Sequence, residues 1–267
     1  SAFSAMSIVM DTPSMGSITI GGATGGLGIG AYDDKMPTAW EETWGHGLGT
    51  GIDLAKGVGS SSNIQYTTPS IMGTKLKVAY SPRNTGGLIN DKSSSGDKGS
   101  PKGKGIDIVL DSTVAGQNIF LGYSTSERDP DNKAGNTADP QSDHEEAVAG
   151  AIFSIGPVKA GIQATAELLG DNQGGHTNAF GYRNVAWGVS FNVNDNLSLS
   201  YGEMESTKGF TSTMTQKRAM TIESFQIAYT MGGASIKVAQ TEGDNLKYVS
   251  GASMDKDGRT IALSLAF

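Results

Sequence analysis

Apolar and polar residues alternate with a period of two along most of the chain. In Asn184–Val193, Val185, Trp187, Val189, Phe191 and Val193 share one face, and Ala186, Gly188, Ser190 and Asn192 the other. Such alternation describes a half-buried strand, because successive side chains point to opposite sides of a sheet. Leu197–Glu203 continues it after the turn-forming Asn194-Asp195-Asn196. Thr221–Met231 and Ala234–Glu242 pair around Gly232-Gly233, and Ala147–Ile155 and Val158–Leu168 around Gly156-Pro157. Gly105–Asp111 and Gln117–Thr125 pair around Ala115-Gly116, and Asn63–Thr68 and Thr74–Ser81 around Met72-Gly73. With Ala5–Met10, Gly16–Gly21 and Gly258–Phe267, the pattern predicts thirteen antiparallel strands.

Short turns alternate with long polar connections: Pro82 to Lys104, Ser126 to Glu145, Leu168 to Arg183, Glu203 to Met220 and Glu242 to Asp257. Soluble sandwiches rarely do this. Transmembrane barrels do, with tight turns at one rim and long loops at the other. No run of about 20 apolar residues could form a spanning helix. The mean hydropathy of −0.25 fits a barrel, in which only every second residue faces lipid.

Composition sharpens this reading. Gly makes up 38 of 267 residues, and the apolar share of 37% is too small for a single thick core. Twenty basic against 27 acidic residues leave a net charge of −7, which argues against a nucleic-acid partner. Cysteine is absent, so disulfides and thiolate sites are excluded. The opening Ser1–Asp11 has neither the basic nor the apolar region of a signal peptide, so the chain reads as a mature or trimmed product.

The segment from about 22 to 62 breaks the alternation. It carries Asp33, Asp34, Glu41, Glu42 and Asp53 against Lys35 and Lys56, together with Trp40 and Trp44. A connection of about 40 residues is too long for an ordinary surface loop and suggests a functional one. An acidic, solvated external loop is the simpler alternative.

Three stretches carry a family resemblance. The final strand places Ile261, Leu263, Leu265 and Phe267 on one face and ends on phenylalanine, similar to the signal that outer-membrane proteins present to the barrel-assembly machinery. Ser61–Pro82, with its Asn-x-x-x-Tyr-x-x-Pro-Ser pattern, resembles a strand–turn–strand element of trimeric general porins of Gram-negative bacteria, the alpha-proteobacterial type above all. Ser14–Gly25 resembles the porin strand that leads into the constriction loop. The resemblance implies an all-β, antiparallel up-and-down transmembrane barrel in the outer membrane, forming one domain with an inward-folded loop. It implies a passive channel for small hydrophilic solutes, contacts with outer-membrane lipid, and a homotrimer. In sixteen-stranded porins the loop follows the fifth strand, and here it follows the second. The odd count therefore implies three further strands ahead of Ser1.

On this reading the constriction is lined by Asp33, Asp34, Glu41 and Glu42 on the loop and by Lys75 and Lys77 on the wall. Lys159, Gln163 and Lys237 line the lumen, and Leu263, Leu265 and Phe267 serve membrane contact and assembly. The acidic loop predicts a weak cation preference.

Other chemistry is poorly represented. His46, His144 and His176 form no ligand-spaced pair, which argues against zinc. Asp255–Gly258 resembles the start of a calcium loop, but Ala266 stands where its closing Glu belongs, so a hairpin turn is expected. Glu127, Asp129 and Asp131 are the one candidate for loop-bound calcium; otherwise no cofactor is expected. No Gly-x-Ser-x-Gly or Walker sequence is present, and Gly26–Gly30 lacks the third glycine of a dinucleotide fingerprint. The sequence therefore predicts no enzyme. The alternatives are a structural or adhesive surface β-protein and, more remotely, a hydrolase at the barrel rim.

Overall fold

The computed structural model describes residues 6–22, 26–43, 48–59, 61–82, 102–128, 143–169, 179–210 and 217–266. These form one antiparallel up-and-down sheet of thirteen strands in chain order. The strands are β1 (Met6–Thr12), β2 (Gly16–Gly22), β3 (Asn63–Thr67), β4 (Thr74–Ser81), β5 (Lys102–Val114), β6 (Gln117–Arg128) and β7 (His144–Ile155). They continue as β8 (Val158–Leu168), β9 (Ala179–Asn192), β10 (Leu197–Phe210), β11 (Lys217–Met231), β12 (Ala234–Asp244) and β13 (Lys256–Leu265). Among the described residues no ladder joins β1 to β13, and no helix is long and apolar enough to cross a membrane.

The tight turns form where the sequence places them. Met72-Gly73 and Ala115-Gly116 both hold consecutive positive φ angles (52° and 83°, 50° and 77°). That geometry matches the twist of a two-residue hairpin. Several strands run further from these turns than apolar alternation indicates. β10 continues past Glu203 to Phe210, and β11 begins at Lys217 rather than Thr221. In this stretch of β10 the outward positions Glu203, Glu205 and Thr207 are polar, while the inward Met204 and Ser206 remain buried. Alternating burial persists there although alternating hydropathy has ended.

The two faces of the sheet differ sharply. Leu121, Ile162, Phe225, Ile236, Ile261 and Leu263 point outward and are exposed, at 45–67%. The opposite face buries polar groups such as Gln65, Asp107, Glu146, Gln163, Asn184 and Gln226. A wall with an apolar outside and a polar inside is the arrangement a lipid-embedded sheet requires. The inner face is concave around the 26–59 segment: Gly28 bonds to β3 and Leu48 packs against Gly258 of β13.

Candidate functional site: the loop on the inner wall

The segment between β2 and β3 crosses the inner wall twice. The outgoing pass starts with a 3-10 turn, Gly28–Tyr32. Gly28 N–H donates to Gln65 Oε1 at 2.8 Å, and Ile29 N–H to Asp107 Oδ2 at 2.9 Å. Gln163 then holds three backbone groups. Its amide donates to the carbonyls of Tyr32 (2.8 Å) and Asp33 (2.6 Å), and its Oε1 accepts Lys35 N–H (2.9 Å). Ala39 N–H reaches Ser200 Oγ at 2.8 Å, and Gln226 Oε1 accepts Trp40 and Glu41 N–H at 3.1 and 3.0 Å. Met36 and Pro37 lie against Gly161 and Gly188, where a Cβ on Gly161 would come within 2.8 Å of the Pro37 ring.

The return pass lies further from the tight turns. Asn184 donates to the Asp53 carbonyl (2.7 Å), and Glu146 accepts the N–H groups of Lys56 and Gly57 (2.8 Å each). Val58 N–H comes back to Asp107 at 3.1–3.2 Å. One carboxylate on β5 thus ties both stems of the segment.

Apolar contacts fill the space between these bonds. Ile29, Tyr32 and Ala55 pack with the inward Val109, Phe120 and Val148. Met36, Leu48, Ile52 and Leu54 pack with Ala186, Met204, Met220 and Ile222. Each large side chain so buried stabilises the docked segment by about 1.5–3 kcal/mol. The connection after β12 covers the return pass. Asn245, Lys247 and Tyr248 hold positive φ angles of 54–60°, a conformation L-residues rarely adopt. Through it Leu246 and Tyr248 become buried, Lys247 N–H meets the Thr50 carbonyl (2.8 Å), and Tyr248 Oη accepts Asp53 N–H (3.2 Å) and bonds Ser206 (2.7 Å).

The charged groups fall into two sets. Near the start of the outgoing pass, Tyr32 donates to Asp111 Oδ2 at 2.5 Å, and Lys77 pairs with the same oxygen at 3.1 Å and bonds the Tyr32 hydroxyl. The ammonium groups of Lys77 and Lys35 lie 4.8 and 5.6 Å from the centre of the Tyr32 ring. Burial, reinforced by Asp111, holds the Tyr32 hydroxyl well above the usual tyrosine range. The second set lies under the return pass. Burial pushes the Asp53 carboxyl up to about 7, with the Glu167 charge adding to the effect and Lys56, 2.9 Å away, opposing it. Burial works against the Lys56 charge, yet Asp53, Glu167 and Glu146 together hold it above the ordinary lysine range.

The residues singled out in the sequence are distributed as follows. Asp33, Asp34, Glu41 and Glu42 are half-buried along the outgoing pass. Lys75 is exposed on the inner face of β4, two residues before Lys77 and opposite Asp111. Lys159 is exposed near the Gly156 turn, and Gln163 is buried against the loop. Lys237 is half-buried with its ammonium 6.0 Å from the Trp40 ring. Leu263 and Leu265 are exposed on the outer face. Phe267, Asp129 and Asp131 lie outside the described residues, while Glu127 pairs with Lys104 at 3.0 Å. The anchors Gln65, Asp107, Glu146, Asn184, Ser200 and Gln226 carried no signal of their own in the sequence. The one available hint is that apolar residues (Phe120, Met204, Ile222) fall on the otherwise polar face, marking where something packs.

No protein-family model and no curated protein matches the chain. Solved structures do match its fold. OmpF of Salmonella typhi, in a complex with daunomycin, superposes with a TM-score of 0.63 over 97% of this chain and 76% of its own, at 13% identity. A refined porin structure gives 0.54 over 96% and 80%, at 13% identity. The in-vitro folded OmpT of Vibrio cholerae, in its trimer form, gives 0.57 over 94% and 77%, at 12% identity. The fold is that of a Gram-negative outer-membrane porin. The chain spans 76–80% of the length of these three structures. Identities of 12–13% carry the porin fold and nothing finer.

Proposed function

We propose that the chain supplies the wall and eyelet of a passive, water-filled diffusion channel for small hydrophilic solutes and ions in a Gram-negative outer membrane. The observation that carries this reading is the loop, bonded to side chains of β3, β5 and β7–β11 on the concave face of a porin fold. Such a loop narrows the enclosed space without sealing it, so solutes are sorted by size and by the charges it displays. Asp33, Asp34, Glu41 and Glu42 supply the acidic side of that filter, and Lys75, Lys77, Lys159 and Lys237 the basic one. No catalytic step enters. A homotrimer is part of the reading, supported by the trimer form of the OmpT neighbour. So is recognition by the barrel-assembly machinery through the last strand, with Leu263 and Leu265 on its outer face.

Planar-bilayer recording tests the channel. Folded protein is expected to give stepwise conductance; none would leave the structural or adhesive alternative. Stoichiometric labelling by a serine-directed probe would refute a channel-only role. The reversal potential in a salt gradient should show weak cation preference, and Asp33→Asn with Asp34→Asn should reduce it. Unchanged selectivity would remove both residues from the eyelet. Cross-linking in native membranes should yield trimers, and a monomer-only ladder would end that part of the reading.

A further inference from the structure

We propose that Tyr32 is a positioning residue of the charge filter: its hydroxyl assigns the Asp111 carboxylate to Lys77 and so leaves Lys75 as the free cation of the β4 wall. This inference rests on the channel reading. Lys75 and Lys77 stand two residues apart on the inner face of β4, and Asp111 of β5 lies directly opposite Lys75 in the ladder. Directly opposed residues are closer than diagonal ones, so register alone would pair Asp111 with Lys75. The structure pairs it instead with Lys77, on the diagonal, at 3.1 Å. Lys75 is exposed and forms no ion pair among the described residues.

Tyr32 accounts for the choice. It closes the 3-10 turn at the start of the outgoing pass. Its carbonyl accepts the Gln163 amide at 2.8 Å, and its ring packs on Phe120 with the centroids 5.2 Å apart. Held from both ends, the side chain delivers its hydroxyl to one place. There the hydroxyl donates to Asp111 Oδ2 at 2.5 Å and accepts from Lys77 Nζ. One phenolic oxygen can do both at once. Asn118 of β6 donates to the other carboxylate oxygen, Oδ1, at 3.0 Å, so the carboxylate cannot turn to Lys75 without breaking a bond. The Lys77 ammonium also lies 4.8 Å from the centre of the Tyr32 ring, which adds a cation–π attraction.

The assignment distributes charge along the passage. Lys75 stands about 7 Å nearer the Gly73 turn than Lys77, at roughly 3.3 Å per residue. Lys77 is compensated beside the loop, so the β4 wall is neutral at the constriction and positive at the mouth on the tight-turn side. Of the four wall lysines on the basic side of the filter, Lys77 is therefore the one whose charge is spent on bonds within the wall. Without the Tyr32 hydroxyl, Asp111 would be shared between the two lysines, and part of the positive charge would move to the narrowest point.

The test acetylates the folded, full-length protein with a water-soluble succinimidyl acetate and reads each lysine by mass spectrometry. In the wild type Lys75 should react roughly tenfold or more faster than Lys77, the factor that one charge-assisted bond sets. Tyr32→Phe keeps the ring and every charge, and it should bring the two rates together. Asp111→Asn should do the same, with the Lys159 rate unchanged in both variants. In planar bilayers Tyr32→Phe should move the reversal potential toward anion preference, although no charge is added or removed. Equal rates for Lys75 and Lys77 in the wild type, a ratio undiminished in either variant, or an unmoved reversal potential in Tyr32→Phe would each overturn the proposal. The wild-type ratio needs no variant to fold. The labelling reads the assignment whether or not the protein conducts, so its failure is distinct from failure of the channel reading.

Discussion

Asp107 ties the two stems of the loop to each other, since its carboxylate receives the N–H groups of Ile29 and Val58. Asp107→Ala would leave both donors buried without that acceptor, at about 1–3 kcal/mol each. We expect the segment to become protease-sensitive while the far-ultraviolet signature of the sheet is kept; resistance equal to wild type would refute this. Asp53 predicts a pH dependence. Its pKa is about 7 in the folded protein, above the ordinary carboxyl value of about 4. Between these values the folded state holds more of the proton, so the stability it contributes is complete below about pH 4 and lost as pH rises to about 7. The wild-type melting temperature should therefore fall relative to Asp53→Asn over that window, and parallel curves would count against it. Little of this chemistry was legible beforehand. Gln163 and Gln226 look like any other polar residue on an alternating strand, and Glu167 meets His144 only through a ladder between strands.

The wall strands were legible at their tight-turn ends and less so at the other. Val158–Leu168 and Thr74–Ser81 have the bounds that alternation indicates, because apolar residues mark every outward position of the first and all but Thr74 of the second. β10 and β11 run longer because their outward residues turn polar while pairing continues, from Glu203↔Glu223 to Gly209↔Lys217. Hydropathy reports what a strand faces, and its message stops where the outer surroundings become polar. Inward glycines serve the loop in a way that can be tested. A Cβ on Gly202 would stand 2.6 Å from Thr43 Oγ1. Valine suits a strand well, so Gly202→Val should leave the sheet intact and displace the outgoing pass, costing about 1–3 kcal/mol of overpacking. Ala164→Val, on the outer face of β8, is the control and should be near neutral. Equal effects of the two changes on stability would deny the loop its bed at this strand.

For the molecule as a whole, the loop is a second layer whose partners lie almost everywhere else in the chain. Lys35 meets Gln163 across 128 residues of sequence, Trp40 meets Gln226 across 186, and Asp53 meets Tyr248 across 195. The strand ladders, by contrast, join neighbours in sequence and close through short connections as well as long ones. Contacts between distant residues repay their ordering cost only after the intervening chain is arranged. The segment thus spends most of refolding without a surface to lie on, and its place is completed only when β11 and the connection after β12 have formed. Refolding into detergent should show the β-sheet signal first and a later phase in Trp40 fluorescence, with Trp44→Phe and Trp187→Phe removing the other indoles. Simultaneous phases would refute this order. If it holds, the last event in the biogenesis of the protein is the setting of its aperture, and a newly inserted copy passes through a wide-bore stage before it acquires its working diameter.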